Sequence, residues 1–500
     1  MTSARPGAFT ATANTAAAST ASASTASAST AAARTTGNTA TTTLLPPLRV
    51  PRCLIDPGHL DMPPADAEGL VTVRLRLANG PAGRDTIVAI EPLEPTGETG
   101  QAGALPLAIT PPVEPHAHLD KIFSSAPTSL AALNQGPSKQ GPSNHQPFAN
   151  RAGTMEGALA ANRLEFAERT AELVLLRSEQ ALQQAWSYGL RAIRSHIDSA
   201  GGPAAEASWE ALLGQRQRWS DRLTLQLVAL VPIQHWLSPA GEELARQVAG
   251  WGGVLGGVLG PPFGRSGSDG AAVRALLQLA ERHGCPVDLH VDEGNDAPGH
   301  GVALVAREAL ALRSTVPITC SHASSMGLLP PDACERLAER MATAGLKVVA
   351  MPRTNLWLLG RRSGHTPWQR PQAPIRPLQR CGVEVAVGGD NVQDPWFPGG
   401  DLDPIDLLRL CFTTSHLDPW LRGGLSPFTT SAARVLGLPW DGVLRPGAPA
   451  DLVVLGASSW GELLARPPQR RVMRGGAWLQ PPAAEAPSPL LAQLALNLPT

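Results

Sequence analysis

His116 and His118 stand two residues apart in Glu114-Pro115-His116-Ala117-His118-Leu119-Asp120-Lys121, directly after an apolar run from Leu105 to Val113. Residues i and i+2 of a β-strand face the same way, so both imidazoles can close on one metal ion while Ala117 points to the opposite side. Alone the pair is a weak signal, because two histidines on one strand face are equally satisfied by hydrogen bonds to their neighbours. Polar residues downstream give it weight: His290 and Glu293 end the run Pro286 to Glu293, His322 ends Pro317 to His322, and Asp390 ends Val383 to Asp390. Each stands at the C-terminal end of a run with the composition of a buried parallel strand, which is where α/β barrels carry their chemistry. Taken singly, His322 reads as a core histidine, Glu293 as a solvated loop carboxylate and Asp390 as a helix cap. Taken together in strand order, they read as a catalytic centre. Cys320, two residues before His322, is read as packing, since nothing else supports a thiol nucleophile.

Such a centre needs parallel strands ending at one face. Between residues 111 and 439, short apolar runs alternate with helical patterns, the signature of βα repeats. The strand before His116, then Leu190 to Asp198, Leu223 to Pro232, Gly253 to Leu259, the runs ending at Glu293 and His322, Lys347 to Asn355, and the run ending at Asp390 make eight. Eight parallel strands close a barrel, so the expected fold class is α/β, a (β/α)8 TIM-type barrel. Outside it, Leu70 to Leu77 alternates apolar and polar with period two, Ile87 to Ile90 is a short strand candidate, and the signal returns in Ala450 to Leu455 and Arg471 to Leu479. These predict a small β-sandwich built from both chain ends, residues 44–110 and 440–482, which the barrel interrupts.

Five hundred residues with 43% hydrophobic content can build a large core. A net charge of -1, from 41 basic and 42 acidic side chains, offers no general attraction for nucleic acid or an anionic membrane and favours a small-molecule ligand. The six cysteines form no CxxC pair and are expected as reduced thiols of a cytoplasmic protein. No apolar stretch is long enough to suggest a transmembrane helix. Residues 1–43 form an Ala/Ser/Thr-rich tract that shares an acid-poor, Ser-rich makeup with organellar leaders; its sparse arginine favours a disordered extension. Between Ser124 and Gly153 lies a Gly/Pro/Ser-rich segment, expected as a surface insertion, with a lid over the barrel mouth as the alternative.

His116-Ala117-His118-Leu119-Asp120-Lys121, His196-Ile197-Asp198, His290-Val291-Asp292-Glu293, Ser321-His322-Ala323 and Gly389-Asp390-Asn391 through Asp394-Pro395-Trp396 resemble the bacterial cytosine deaminase branch of the amidohydrolase superfamily, over roughly Leu48 to Leu479. The resemblance implies that His116, His118, His290 and Asp390 hold a single divalent ion, Fe2+ or Zn2+, a donor set that suits either. Such an ion lowers the pKa of a coordinated water from about 15.7 to about 7. Binuclear relatives bridge two ions with a mid-barrel lysine, and no lysine falls in the middle candidate strands, so one ion per subunit is expected. By resemblance, Glu293 shuttles a proton to the substrate ring, Asp390 takes the water's proton, and His322 hydrogen-bonds the attacking oxygen. His196 either orients a ligand or the substrate or is purely structural. Trp396 either walls the ring or is a core tryptophan. Assembly into a homo-oligomer is implied by resemblance alone.

Two substrate-facing positions depart from the pattern. The family's glutamine after the third strand falls on Gln234 only with a gap; without one, Pro232 takes its place and offers no side-chain hydrogen bond. The aspartate after the ligand aspartate is Asn391 here, which keeps hydrogen-bonding capacity and loses charge. The expected reaction is hydrolytic deamination of a cytosine-like heterocycle. The alternatives are an N-alkyl triazine or other cyclic amide or amidine amidohydrolase and, from another class, an inactive amidohydrolase-like binding protein.

Overall fold

The computed structural model describes residues 42–59, 62–80, 83–93, 105–125, 150 and 152–480. The low-complexity tract before Thr42 and most of the segment between Ser124 and Gly153 therefore lie outside the described residues. Thr42 and Thr43, expected in the tail, belong instead to a strand.

Five strands from one chain end, β1 (Thr42–Leu44), β2 (Leu48–Pro51), β3 (Leu70–Asn79), β4 (Asp85–Pro92) and β5 (Leu107–Ile109), come first. β3 shows the expected alternation: Val73, Leu75 and Leu77 are buried, whereas Thr72, Arg74 and Arg76 are half-buried. Then come the barrel strands β6 (Val113–Ala117), β7 (Ala192–Asp198), β8 (Thr224–Leu230), β9 (Val254–Leu259), β10 (Val287–Val291), β11 (Ile318–His322), β12 (Lys347–Ala350) and β13 (Glu384–Val387). From the other chain end come β14 (Leu452–Leu455), β15 (Arg470–Arg474) and β16 (Ala477–Trp478).

The two ends merge in one eight-stranded sheet of order β1-β3-β2-β5-β14-β15-β16, with β4 on β3. Their junction is β5, antiparallel to β14 and parallel to β2. The sheet curls on itself, because Ile87 of β4 donates to the Ala448 carbonyl at 2.9 Å and accepts from the Gly447 amide at 2.8 Å, just before β14. The expected end domain thus takes the form of a single curled sheet.

β6 to β13 pair in sequence order to form the barrel wall. The ring closes where the Asp390 amide donates to the His116 carbonyl at 3.0 Å. Glu114 clasps the same seam: its carboxylate accepts from the amides of His116 at 3.0 Å and Gly389 at 2.9 Å. Burial pushes the Glu114 carboxyl up to about 8, against these two amides. Helices return the chain between strands. One spans Ala171–Tyr188, capped by the Thr170 hydroxyl and ended by Gly189 at φ 92, a conformation that suits glycine.

Two strand boundaries differ from expectation. The run Leu105 to Val113 is not a barrel strand; Pro111 and Pro112 break it, leaving β5 in the end sheet and starting β6 at Val113. Lys347 to Asn355 is extended only to Ala350, since Pro352 opens a helix, Pro352–Leu358.

Candidate active site

Every barrel strand ends at the same face, and polar side chains crowd that end. His116 Nε2 lies 3.2 Å from His290 Nε2, and His290 Nε2 lies 3.3 Å from His118 Nε2. Asp390 Oδ1 is 3.3 Å from His118 Nε2 and 3.6 Å from His116 Nε2. Two donors bound to one zinc-sized ion, each ~2.0–2.2 Å from it, sit about 2.8–3.6 Å apart, so each of these four contacts has the spacing of neighbouring ligands. Two trios, His116 with His196 and His290 and His116 with His322 and Asp390, bring all their donor atoms within 4.8 Å of one another. Neither carboxylate oxygen of Asp390 has a hydrogen-bond partner among the described residues, although the side chain is buried. Burial drives the protonation of His116 and His290 well below the usual imidazole range, so both rings are neutral donors of a lone pair. The residues present therefore fit a divalent ion at this end of the barrel, and His116, His118, His290 and Asp390 are the donors that would hold it.

Backbone strain marks the same place. His322 has φ 72 and Asp390 has φ 65, left-handed values that cost of order 1–3 kcal/mol for residues with a Cβ and recur at active sites. Here they turn both side chains off their strand ends toward the cluster.

Glu293 and His322 form the next layer, with Glu293 Oε2 3.5 Å from His322 Nε2. Asn355, from the helix that displaced the end of the expected strand, sits 3.1 Å from His322 Nδ1 and 3.5 Å from Glu293 Oε1. Burial, reinforced by the nearby Asp390, holds the Glu293 carboxyl well above its usual range. Burial likewise lowers His322 to about 4.

A cavity of about 330 Å³ opens over these groups, with His118, His290, Glu293, His322 and Asp390 at its floor. Its walls are largely apolar, including Leu159, Phe166, Val231, Pro232, Phe263 and Trp396. Asn391 and Trp396, both expected at the substrate, do line it. The Trp396 indole N–H donates to Asn162 Oδ1 at 3.1 Å, and Asn391 donates to Asp394 Oδ2 at 2.7 Å. The two other expected substrate residues do not line it. His196 lies beneath the cluster, stacked on the His116 ring at 3.8 Å between centroids, with Nε2 3.4 Å from Asp288 Oδ1. Gln234 is in a short 3-10 turn, Ile233–Leu237, and spends its amide on Asp269 at 2.6 Å; Pro232 stands at the cavity wall in its stead.

Sequence reasoning gave no role to a pair of charges on the wall. Lys121 Nζ is 2.9 Å from Asp198 Oδ2, and both line the cavity. Behind them Arg169 is 2.8 Å from Asp120 Oδ2 and 3.1 Å from Asp198 Oδ2. Burial would raise the Asp198 carboxyl, but Lys121 and Arg169 outweigh it and hold the group well below its usual range. Both residues were visible within the histidine motifs; their approach depends on the turn after β6 meeting the end of β7, which no local pattern reports.

Comparison with known proteins agrees with this geometry. Residues 148–479 match the model of the amidohydrolase family. Pterin deaminase of Rhizobium rhizogenes is 35% identical over 329 residues, 65% of this chain and 74% of that protein. N-isopropylammelide isopropyl amidohydrolase of a Pseudomonas species is 22% identical over 350 residues, 69% of this chain and 79% of that protein. Among solved structures, 5-methylcytosine deaminase from Klebsiella pneumoniae with 5-fluorocytosine bound superposes with a TM-score of 0.68 at 26% identity, over 83% of this chain and 96% of that one. A barrel whose strand ends gather three imidazoles and a carboxylate, in a sequence matched along most of that barrel, places the chain in the amidohydrolase family as a hydrolase of carbon–nitrogen bonds.

Proposed function

We propose that the chain is a metal-dependent hydrolytic deaminase of a planar nitrogen heterocycle with a cytosine-like edge: an exocyclic amine beside a ring nitrogen, and a ring carbonyl. The observation that carries this reading is the placement of a buried Glu293, its carboxyl raised by that burial, in the cavity floor beside His322 and the cluster of His116, His118, His290 and Asp390.

A divalent ion bound there would be held by those four residues and would supply an activated water. Asp390, its oxygens free of hydrogen bonds, accepts that water's proton. Glu293 gives its proton to the ring nitrogen next to the amino-bearing carbon, which makes the carbon electrophilic. His322, oriented by Asn355, hydrogen-bonds the attacking oxygen. One water is consumed: the bond from ring carbon to exocyclic nitrogen breaks, the amine leaves as ammonia with the proton that Asp390 took, and the hydroxyl on the ring carbon returns a proton to Glu293 as that carbon becomes a carbonyl. Lys121 and Asp198 read the amide edge, the ammonium donating to the ring carbonyl and the carboxylate accepting from a ring N–H. Trp396 and Phe166 wall the ring faces.

An ammonia-release screen of the zinc- or iron-loaded protein across cytosine, 5-methylcytosine, isocytosine, pterin and ammelide tests the reading. Pterin and 5-methylcytosine head the series because relatives carry those names. Ammonia from at least one is expected. Full metal content with no ammonia from any would overturn it in favour of an inactive binding protein, and release of an alkylamine from N-isopropylammelide alone would favour the triazine alternative, which a Pseudomonas relative's name supports.

A further inference from the structure

Beneath the four donor atoms the barrel interior is polar where such interiors are normally filled by branched aliphatic side chains. Arg194 and His196 point inward from β7, Asp288 and His290 from β10, and Ser321 from β11, where it pairs in register with His290. All five are buried. Burying an arginine and an aspartate in a barrel core costs free energy unless they are paired, and these are: Arg194 Nη1 donates to Asp288 Oδ2 at 2.8 Å. That ion pair satisfies Arg194 without Ser321, so the serine's hydroxyl has a separate task.

Its geometry states the task. Ser321 Oγ lies 2.7 Å from Asp288 Oδ1 and 3.0 Å from His116 Nδ1. A carboxylate paired with arginine accepts hydrogen bonds and donates none, so the serine's single proton goes to Asp288. The hydroxyl then has only a lone pair to offer His116, and the 3.0 Å contact requires the imidazole to carry its proton on Nδ1. Nε2 is left bare, and Nε2 is the atom 3.2 Å from His290 Nε2 and 3.6 Å from Asp390 Oδ1. With the other tautomer, an N–H would point into the cluster and Nδ1 would face the serine lone pair.

We propose that Asp288 and Ser321 form a proton-ordering relay that fixes His116 as its Nδ1–H tautomer and so presents Nε2 for metal binding. They are positioning residues: neither is a metal ligand in this arrangement, and both act through His116. The proposal rests on the reading of His116, His118, His290 and Asp390 as a metal site. Its reach differs from a packing role, because a serine that merely fills space could lose its oxygen without any change in metal affinity.

Zinc affinity of the full-length metal-free protein, measured by competition with a chromophoric chelator, separates the cases. Ser321→Ala removes one atom and is expected to fold, checked by an unchanged melting temperature without metal. It should bind Zn2+ ~10- to 100-fold more weakly than the parent, the range for loss of an orienting partner of a metal ligand. Asp288→Asn, made in the Ser321→Ala background, should weaken binding by no more than about threefold further, since the relay is already cut. A Ser321→Ala protein within fivefold of the parent overturns the relay, provided His290→Ala has lost zinc. Zinc binding by His290→Ala as tight as the parent's overturns the metal site itself, and the relay with it.

Discussion

In the proposed reaction Glu293 carries the proton to the ring; among the described residues it shares the cavity floor with Asp390 and lies 3.5 Å from His322. Glu293→Gln keeps its size and hydrogen-bonding reach and removes the transferable proton. Its kcat should fall ~10²- to 10⁴-fold with metal content unchanged by elemental analysis; full activity would remove Glu293 from the proton path. Lys121→Met keeps the length of the side chain and deletes the donor. It should raise KM for any ring bearing a carbonyl at least tenfold, while a tight, unchanged KM would separate Lys121 from the substrate. His116, His118, His290, Glu293, His322 and Asp390 could be singled out in the sequence because each stands at or just beyond a strand's C-terminal end, and those ends share a face. Gln234 was misplaced for the opposite reason: one proline before it, in Val231-Pro232-Ile233-Gln234, starts a tight turn that swings the amide toward Asp269.

At the scale of elements, seven of the eight barrel strands fall within their apolar runs, the first does not, and the errors lie at proline. Pro111 and Pro112 split one run between two sheets, and Pro352 converted a strand end into the helix that carries Asn355. The reader of a single sequence sees hydrophobicity continue through such residues; the hydrogen-bond ladder does not. Gly256 in β9 shows the same limit in packing. A Cβ there would meet Val228 Cγ1 at 2.5 Å and the carbonyl oxygens of Asp288 at 2.7 Å and Ala229 at 2.8 Å, two of the three being backbone that cannot yield cheaply. Gly256→Ala is expected to destabilise the barrel by about 1–3 kcal/mol, as overpacking does, read as a lower denaturant midpoint. A midpoint equal to the parent's would mean the strand can shift there.

For the whole molecule, ligand binding and stability are one equilibrium. A metal at the proposed site, held by groups from β6 and the turn after it, β10 and the segment after β13, would bind the folded chain and find no comparable site in the unfolded one. Zinc at 100 times its Kd should add about 2.7 kcal/mol, and chelator treatment should lower the melting temperature reversibly. A melting temperature indifferent to chelator would speak against the four-residue site. Among the described residues, no helix is long and apolar enough to cross a membrane.

The closing seam has a temporal consequence. Glu114 and Gly389, which it joins, are 275 positions apart in the chain, and His116 and Asp390 lie immediately beside them. During synthesis the first two donors emerge early and wait, unable to capture an ion as a set, until nearly the whole barrel has been made. If those residues are the ligands, metal acquisition would be the last act of assembly, a built-in report that the first strand has found the eighth.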